Sequence, residues 1–188
     1  RSDKTLLFAG GALAFLGVAV LMHSARGRWP PYLTVDIAHA TAISALALMW
    51  AAARVFNGKS PSLLRLSTGP IVWLLACQVM PLRDSFPMAT IVSSPFVVVY
   101  SLFAAREFWV RDGLATRGAL SATLVVHAVA VSLRIPVAVS QIVSDAAVKA
   151  FESPGFVFFV LEAMVFVQAI IFLIVSLTKE RLEVQLRF

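Results

Sequence analysis

The chain has 188 residues, of which 60% are hydrophobic and 14% charged, with a mean hydropathy of +0.87. Soluble domains run nearer to about 45–50% apolar and about 25% charged, so this surplus excludes a single aqueous core and, with it, a soluble catalytic domain. The formal net charge of +6 does not mark nucleic-acid binding, because Lys and Arg fall in short clusters between apolar runs rather than along one stripe.

Six apolar runs of about 20 residues, the length that crosses about 30 Å of hydrocarbon, predict an all-α polytopic transmembrane bundle. The first, Thr5–Met22, has no charge and no small-residue cleavage site, so it is a span rather than a signal peptide. "RGRWPPY" then breaks the chain and leads to span two, Tyr32–Ala53, which contains Asp36 and His39. "FNGKSPS" closes that span with Asn57 and Gly58, and Pro61 opens the short span three, Leu63–Met80. Span four is Phe86–Ala105. Pro70 and Pro95 lie inside spans three and four, where a bundle can serve the carbonyls that they free. "RDG" precedes span five, Gly118–Leu133, which is followed by Arg134. Span six is Pro154–Leu177 and contains Glu162 and Gln168. Between them, Ile135–Ser153 has apolar residues at helical spacing. It reads equally as a short amphipathic surface helix or as an outward continuation of span five.

Placing both visible termini in the cytoplasm puts eleven of the sixteen Lys and Arg residues inside and five (Arg26, Arg28, Arg83, Arg134 and Lys149) outside, a clear positive-inside bias. The chain begins with Arg1 rather than Met, and a further helix before it would leave this orientation unchanged. Cys77 is the single cysteine, which excludes an intrachain disulfide and a multi-cysteine metal site.

Ionisable groups within spans are costly and commonly face the bundle interior. His39 lies seven residues below Tyr32, His127 seven below Arg134 and Glu162 seven below Gly155, each roughly 10 Å deep at 1.5 Å per residue. Asp36 and Arg134 sit nearer the outer surface. Asp36, His39, His127, Arg134 and Glu162 are therefore the candidate members of one outer polar pocket. Three uses fit them: interhelical hydrogen bonding with an Asp36–Arg134 pair, a site for a small molecule or quinone-like headgroup, or b-haem held between His39 and His127. His23, at the outer end of span one, is expected in solvent. Trp29, Trp73, Trp109, Tyr32 and Tyr100 are expected at interfaces or in packing. No hydrolase, metalloprotease, P-loop or dinucleotide motif is present.

Span six passes without Gly or Pro into "SLTKERLEVQLRF". Leu177, Arg181, Val184 and Phe188 recur at four-three-four spacing, the pattern of a coiled-coil seam. The predicted division is thus a membrane bundle over 1–177 and, over 178–188, the start of a signalling helix.

The stretches "RGRWPPYLTVDIAHATAISALALMWAAARVFNGKSP", "GPIVWLLACQVMP", "HAVAVSLRIP" and "LEAMVFVQAIIFLIVSLTKERLEVQLRF" resemble the membrane sensor region ahead of the GGDEF domain in bacterial diguanylate cyclases. The resemblance implies a multi-pass protein of the bacterial inner membrane, with a cytoplasmic C-terminus, that works as a homodimer. The closing "TKER…LR" helix would lead into a cyclase domain absent from these residues, where GTP and Mg would bind and cyclic di-GMP would form. No catalytic residue and no cofactor would belong to the present chain. The family often has Asn where His39 stands, so His39 inherits no role from it. The alternatives are a free-standing haem-binding or redox membrane protein and a small transporter.

Overall fold

The computed structural model describes residues 2–80, 82–109, 114–143 and 154–186. They form six α-helices: α1 (Ser2–Ser24), α2 (Ala38–Phe56), α3 (Leu63–Val79), α4 (Phe86–Phe108), α5 (Ala115–Val143) and α6 (Pro154–Leu186). One π-helix, Tyr32–Ile37, leads directly into α2. Five stretches are long and apolar enough to cross a membrane: Lys4–Ser24, Tyr32–Phe56, Phe86–Phe108, Ala115–Val143 and Leu161–Val184. The bundle is thus that of a membrane protein. Leu63–Val79, the expected third span, is apolar but shorter.

α2 is the centre of the bundle. It packs against α1, α3 and α4, while α4 lies along α5 and α5 along α6. Its sequence explains this position. "AHATAISALALMWAAA" carries small residues on every face, so neighbouring backbones approach closely, and packing rather than water drives association in lipid. Ile43, Ala45, Ala47, Ala51 and Ala53 are all fully buried. α6, by contrast, exposes Leu161, Val165, Phe172 and Val175 outward.

The α2–α3 turn follows the expected chemistry. Asn57 caps α2, Gly58 takes φ +75°, and the amides of Gly58 and Lys59 donate to the carbonyls of Val55 and Arg54. This is a Schellman ending, which needs the left-handed residue that glycine supplies.

Helix boundaries depart from the expectation mainly in α5. It continues through Arg134 and Pro136 to Val143, so the connection after span five begins as an outward extension of the helix. Ser144–Ser153, the rest of the proposed surface helix, lies outside the described residues. Pro70 and Pro95 sit inside α3 and α4 as expected.

The closest backbone approach is at Gly69. Its amide donates to the Tyr100 hydroxyl at 3.2 Å, and that hydroxyl donates to the Arg65 carbonyl at 2.7 Å. A Cβ at position 69 would lie 2.6 Å from Tyr100 Cε2 and 3.0 Å from Ile43 Cγ2. Gly69→Ala should therefore force Tyr100 out of its hydrogen bonds and cost about 1–3 kcal/mol. Thermal unfolding in detergent, compared with Gly17→Ala, which meets nothing within 4 Å, measures the difference.

Candidate functional site

The five expected pocket residues divide into two groups. His127 and Arg134 on α5 both engage Glu162 on α6. His127 Nδ1–H donates to Glu162 Oε1 at 2.7 Å and Arg134 Nη2 donates to Oε2 at 2.6 Å, so one carboxylate bridges both cations or donors. The three side chains are largely withdrawn from solvent, at 7%, 23% and 14% exposure for His127, Arg134 and Glu162. The imidazole of His127 lies flat on Phe166, with centroids 3.6 Å apart and planes 9° from parallel. Helical spacing explains the arrangement: Glu162 and Phe166 are one turn apart on α6 and share a face, and His127 and Arg134 are two turns apart on α5.

Asp36 does not pair with Arg134. Its partner is Arg83 in the α3–α4 turn, which donates through Nε at 2.8 Å and Nη2 at 2.5 Å. Arg134 is instead drawn inward by Glu162. The Asp36 hydrogen bond holds the Arg83 guanidinium above its ordinary pKa. Asp36 sits in the π-helix directly after Pro30–Pro31, and its own carbonyl accepts from Trp73 Nε1 at 2.8 Å.

His39 belongs to this second group. Its Nδ1–H donates to the Val35 carbonyl at 2.8 Å, which fixes the tautomer and leaves Nε2 as the acceptor. The ring lies tilted over Trp73 at 4.8 Å and meets His23 edge-on at 4.5 Å. His23 is thus packed against His39 rather than free in solvent, because α1 ends directly over the start of α2. Trp73 itself is fully buried, whereas Trp29 and Trp109 are exposed as interface residues would be.

For haem, the geometry places His39 and His127 in separate clusters with different aromatic partners. Among the described residues, no group of three or more His, Cys, Asp or Glu could hold a metal ion. A small apolar gap of about 20 Å³ between α1, α2 and α6, bordered by Ala12, Ala45 and Phe166, has the volume of about one water.

A further site, not anticipated from the sequence, occupies the opposite end. Glu107 accepts from Arg54 at 3.3 Å, Asn57 at 3.1 Å and Lys59 at 2.7 Å. Arg117, 3% exposed, donates to Asn57 Oδ1 at 2.6 Å and to the Glu107 carbonyl at 3.0 Å. The guanidinium groups of Arg181 and Arg117 lie over the Phe56 ring, 4.6 Å and 5.2 Å from its centroid, two cation–π contacts. From α6, the Glu180 carboxylate accepts the amides of Ala115 at 2.8 Å and Thr116 at 3.2 Å. Those amides open α5 and have no intrahelical partner, so the last helix caps the fifth.

This second network revises the expected seam. Leu177 is 3% exposed and Arg181 lies on Phe56, so both face the bundle. Val184 is exposed, and Phe188 lies outside the described residues. Basic residues counted only for topology thus prove to be structural: Arg54, Lys59, Arg117 and Arg181 hold α2, α4, α5 and α6 together. The available cue was the placement of Glu107 and Glu180, two acids within basic clusters.

No family model matches the chain, and no curated protein or solved structure matches it.

Proposed function

We propose that the chain is a membrane-embedded sensory module that sets the output of paired GGDEF diguanylate cyclase domains, with both visible ends in the cytoplasm of a bacterium and the bundle in its inner membrane. The observation that carries this reading is the unbroken course of α6. It runs 33 residues from Pro154 to Leu186, against 29 or fewer for the other described helices. It also carries a member of each polar site: Glu162 at one end and Glu180 with Arg181 at the other. Glu162 and Glu180 are roughly 27 Å apart at 1.5 Å per residue.

In this reading the His127–Arg134–Glu162 cluster is the input. A small ligand that competes for the Glu162 carboxylate would favour one position of α6 over another, provided that it binds the two arrangements unequally. A shift of α6 along its axis would strain the Glu180 cap on α5 and the Arg181 stack on Phe56. The helix beyond Leu186 would then turn or slide relative to its copy. GTP, Mg and the condensation to cyclic di-GMP belong to the cyclase domain that follows.

Two measurements test this. The reading requires a GGDEF domain directly after Phe188 in the parent protein, and a stop codon there would overturn it. In that parent, Glu162→Gln should change cyclic di-GMP output about fivefold at constant expression, the lower range of allosteric coupling. The same replacement should have much less effect when Glu180→Ala has already released α6. Output indifferent to both changes would leave the clusters purely architectural.

A further inference from the structure

The outward face of α6 carries a pattern distinct from the one that faces the bundle. Leu161, Val165, Gln168, Phe172, Val175, Lys179, Leu182 and Leu186 follow one another at alternating spacings of four and three. All of them are exposed, from Leu182 at 49% to Leu186 at 87%. At about 100° per residue this stripe lies opposite Phe166, Ile170 and Leu177, which are buried against the bundle. Unlike the Leu177–Phe188 series, it is a continuous heptad seam through both the span and its extension.

Lipid could cover the apolar part of this stripe within the bilayer. It could not satisfy Gln168. That side chain is exposed, and it has no hydrogen-bond partner among the described residues. It stands about 10 Å from Leu161 and about 13 Å from Leu177 along the axis, too deep to reach water from either side. Nor could lipid cover Leu186, which continues the stripe past Val184, where the apolar stretch ends.

We infer that this face of α6 binds a second copy of the chain, with Gln168 hydrogen-bonded to Gln168 of that copy in the middle of the membrane. Self-pairing follows from the chemistry. Two copies inserted with the same orientation are parallel, so a two-fold axis along the membrane normal sets each residue against its own equivalent. A carboxamide has both donors and an acceptor, so it complements itself, whereas an ionised group would not. Lys179, the other polar residue of the stripe, lies near Glu183 on the same helix, with Nζ and Oε1 3.8 Å apart, which moderates the like charges where the seam leaves the bilayer. A polar residue within such a seam fixes register and favours a defined number of strands.

The proposal sharpens the pairing of copies that the signalling function relies on, but its test does not involve cyclase activity. In a Cys77→Ser background, Val165→Cys, Gln168→Cys, Phe172→Cys and Val175→Cys are reconstituted in vesicles of phosphatidylethanolamine and phosphatidylglycerol and oxidised. Disulfide-linked dimers should form at these positions and be at least fivefold weaker at Ala169→Cys and Ile171→Cys, which lie to either side of the stripe. Gln168→Leu should weaken association of the otherwise unaltered chain by about 3- to 20-fold, the range of intramembrane hydrogen bonds, and Gln168→Asn should restore part of it. A monomer at every position, equal cross-linking around the helix, or full association of Gln168→Leu would each overturn the inference. The first of these outcomes would leave lipid as the occupant of the face.

Discussion

Trp73→Ala should lower the stability of the bundle by about 3–5 kcal/mol, the cost of truncating a buried Trp and leaving a cavity. Trp73 is completely buried at the junction of α3 with the π-helix. Its indole donates to the Asp36 carbonyl and supports the His39 ring. Four elements therefore lose contacts together: α3, the π-helix, α2 through His39 and, through His23, the end of α1. Trp73→Phe separates the contributions, since it keeps most of the ring but removes the donor; it should cost about 1–3 kcal/mol, the penalty of leaving a buried carbonyl unpaired. Far-ultraviolet circular dichroism during heating in detergent measures both. Trp109→Ala is the control, because Trp109 is 65% exposed. Equal midpoints for Trp73→Ala and Trp109→Ala would show that the packing around Trp73 contributes little.

The second large effect is expected at Glu162. Glu162→Ala removes the single carboxylate that serves both His127 and Arg134, and leaves the Arg134 guanidinium, 23% exposed, without it. Removing one partner of a buried ion pair costs about 3–5 kcal/mol, mostly for the charge left behind. The loss here should fall near the low end, about 3 kcal/mol, because part of Arg134 still reaches the surface. The double change Glu162→Ala with Arg134→Leu removes both charges. It should be more stable than Glu162→Ala alone, a non-additivity expected of directly contacting residues. Unfolding midpoints of the two single variants and the double variant decide it. Simple additivity would mean that Arg134 draws no stability from Glu162.

What could be read from the sequence was whatever depends on distance along the chain. Apolar runs of the right length gave α1, α2, α4, α5 and α6, and Asn57–Gly58 gave the end of α2. Depth along each span placed His127 and Glu162 at one level, and the two side chains meet. Depth carries no information about azimuth, however, so it could not separate them and Arg134 from Asp36 and His39. It also favoured Arg134 over Arg83 as the partner of Asp36. The end of α5 was left open between two readings for a related reason. A hydropathy reading treats a charge as the edge of a span, and Arg134 is a charge that turns inward to meet Glu162. The network around Glu107 and Glu180 was invisible because positive-inside counting uses Lys and Arg alone. Glu107 and Glu180, the acids that organise it, carry no weight in that count. The seam was assigned to Leu177 and Arg181 because their spacing is right, but spacing cannot say which of two opposite faces is occupied by the bundle.

The cap that Glu180 provides also bears on how the chain is made. Ala115 and Thr116 are synthesised some 65 residues before the carboxylate that accepts their amides. During translation α5 therefore enters the membrane with its first turn incomplete and acquires its final form only when the closing segment emerges. The same holds for Phe56, which receives Arg117 early and Arg181 late. The end of the bundle that holds Glu107 and Glu180 is consequently completed after the rest, and a chain released before residue 180 would hold its helices with that end unfastened.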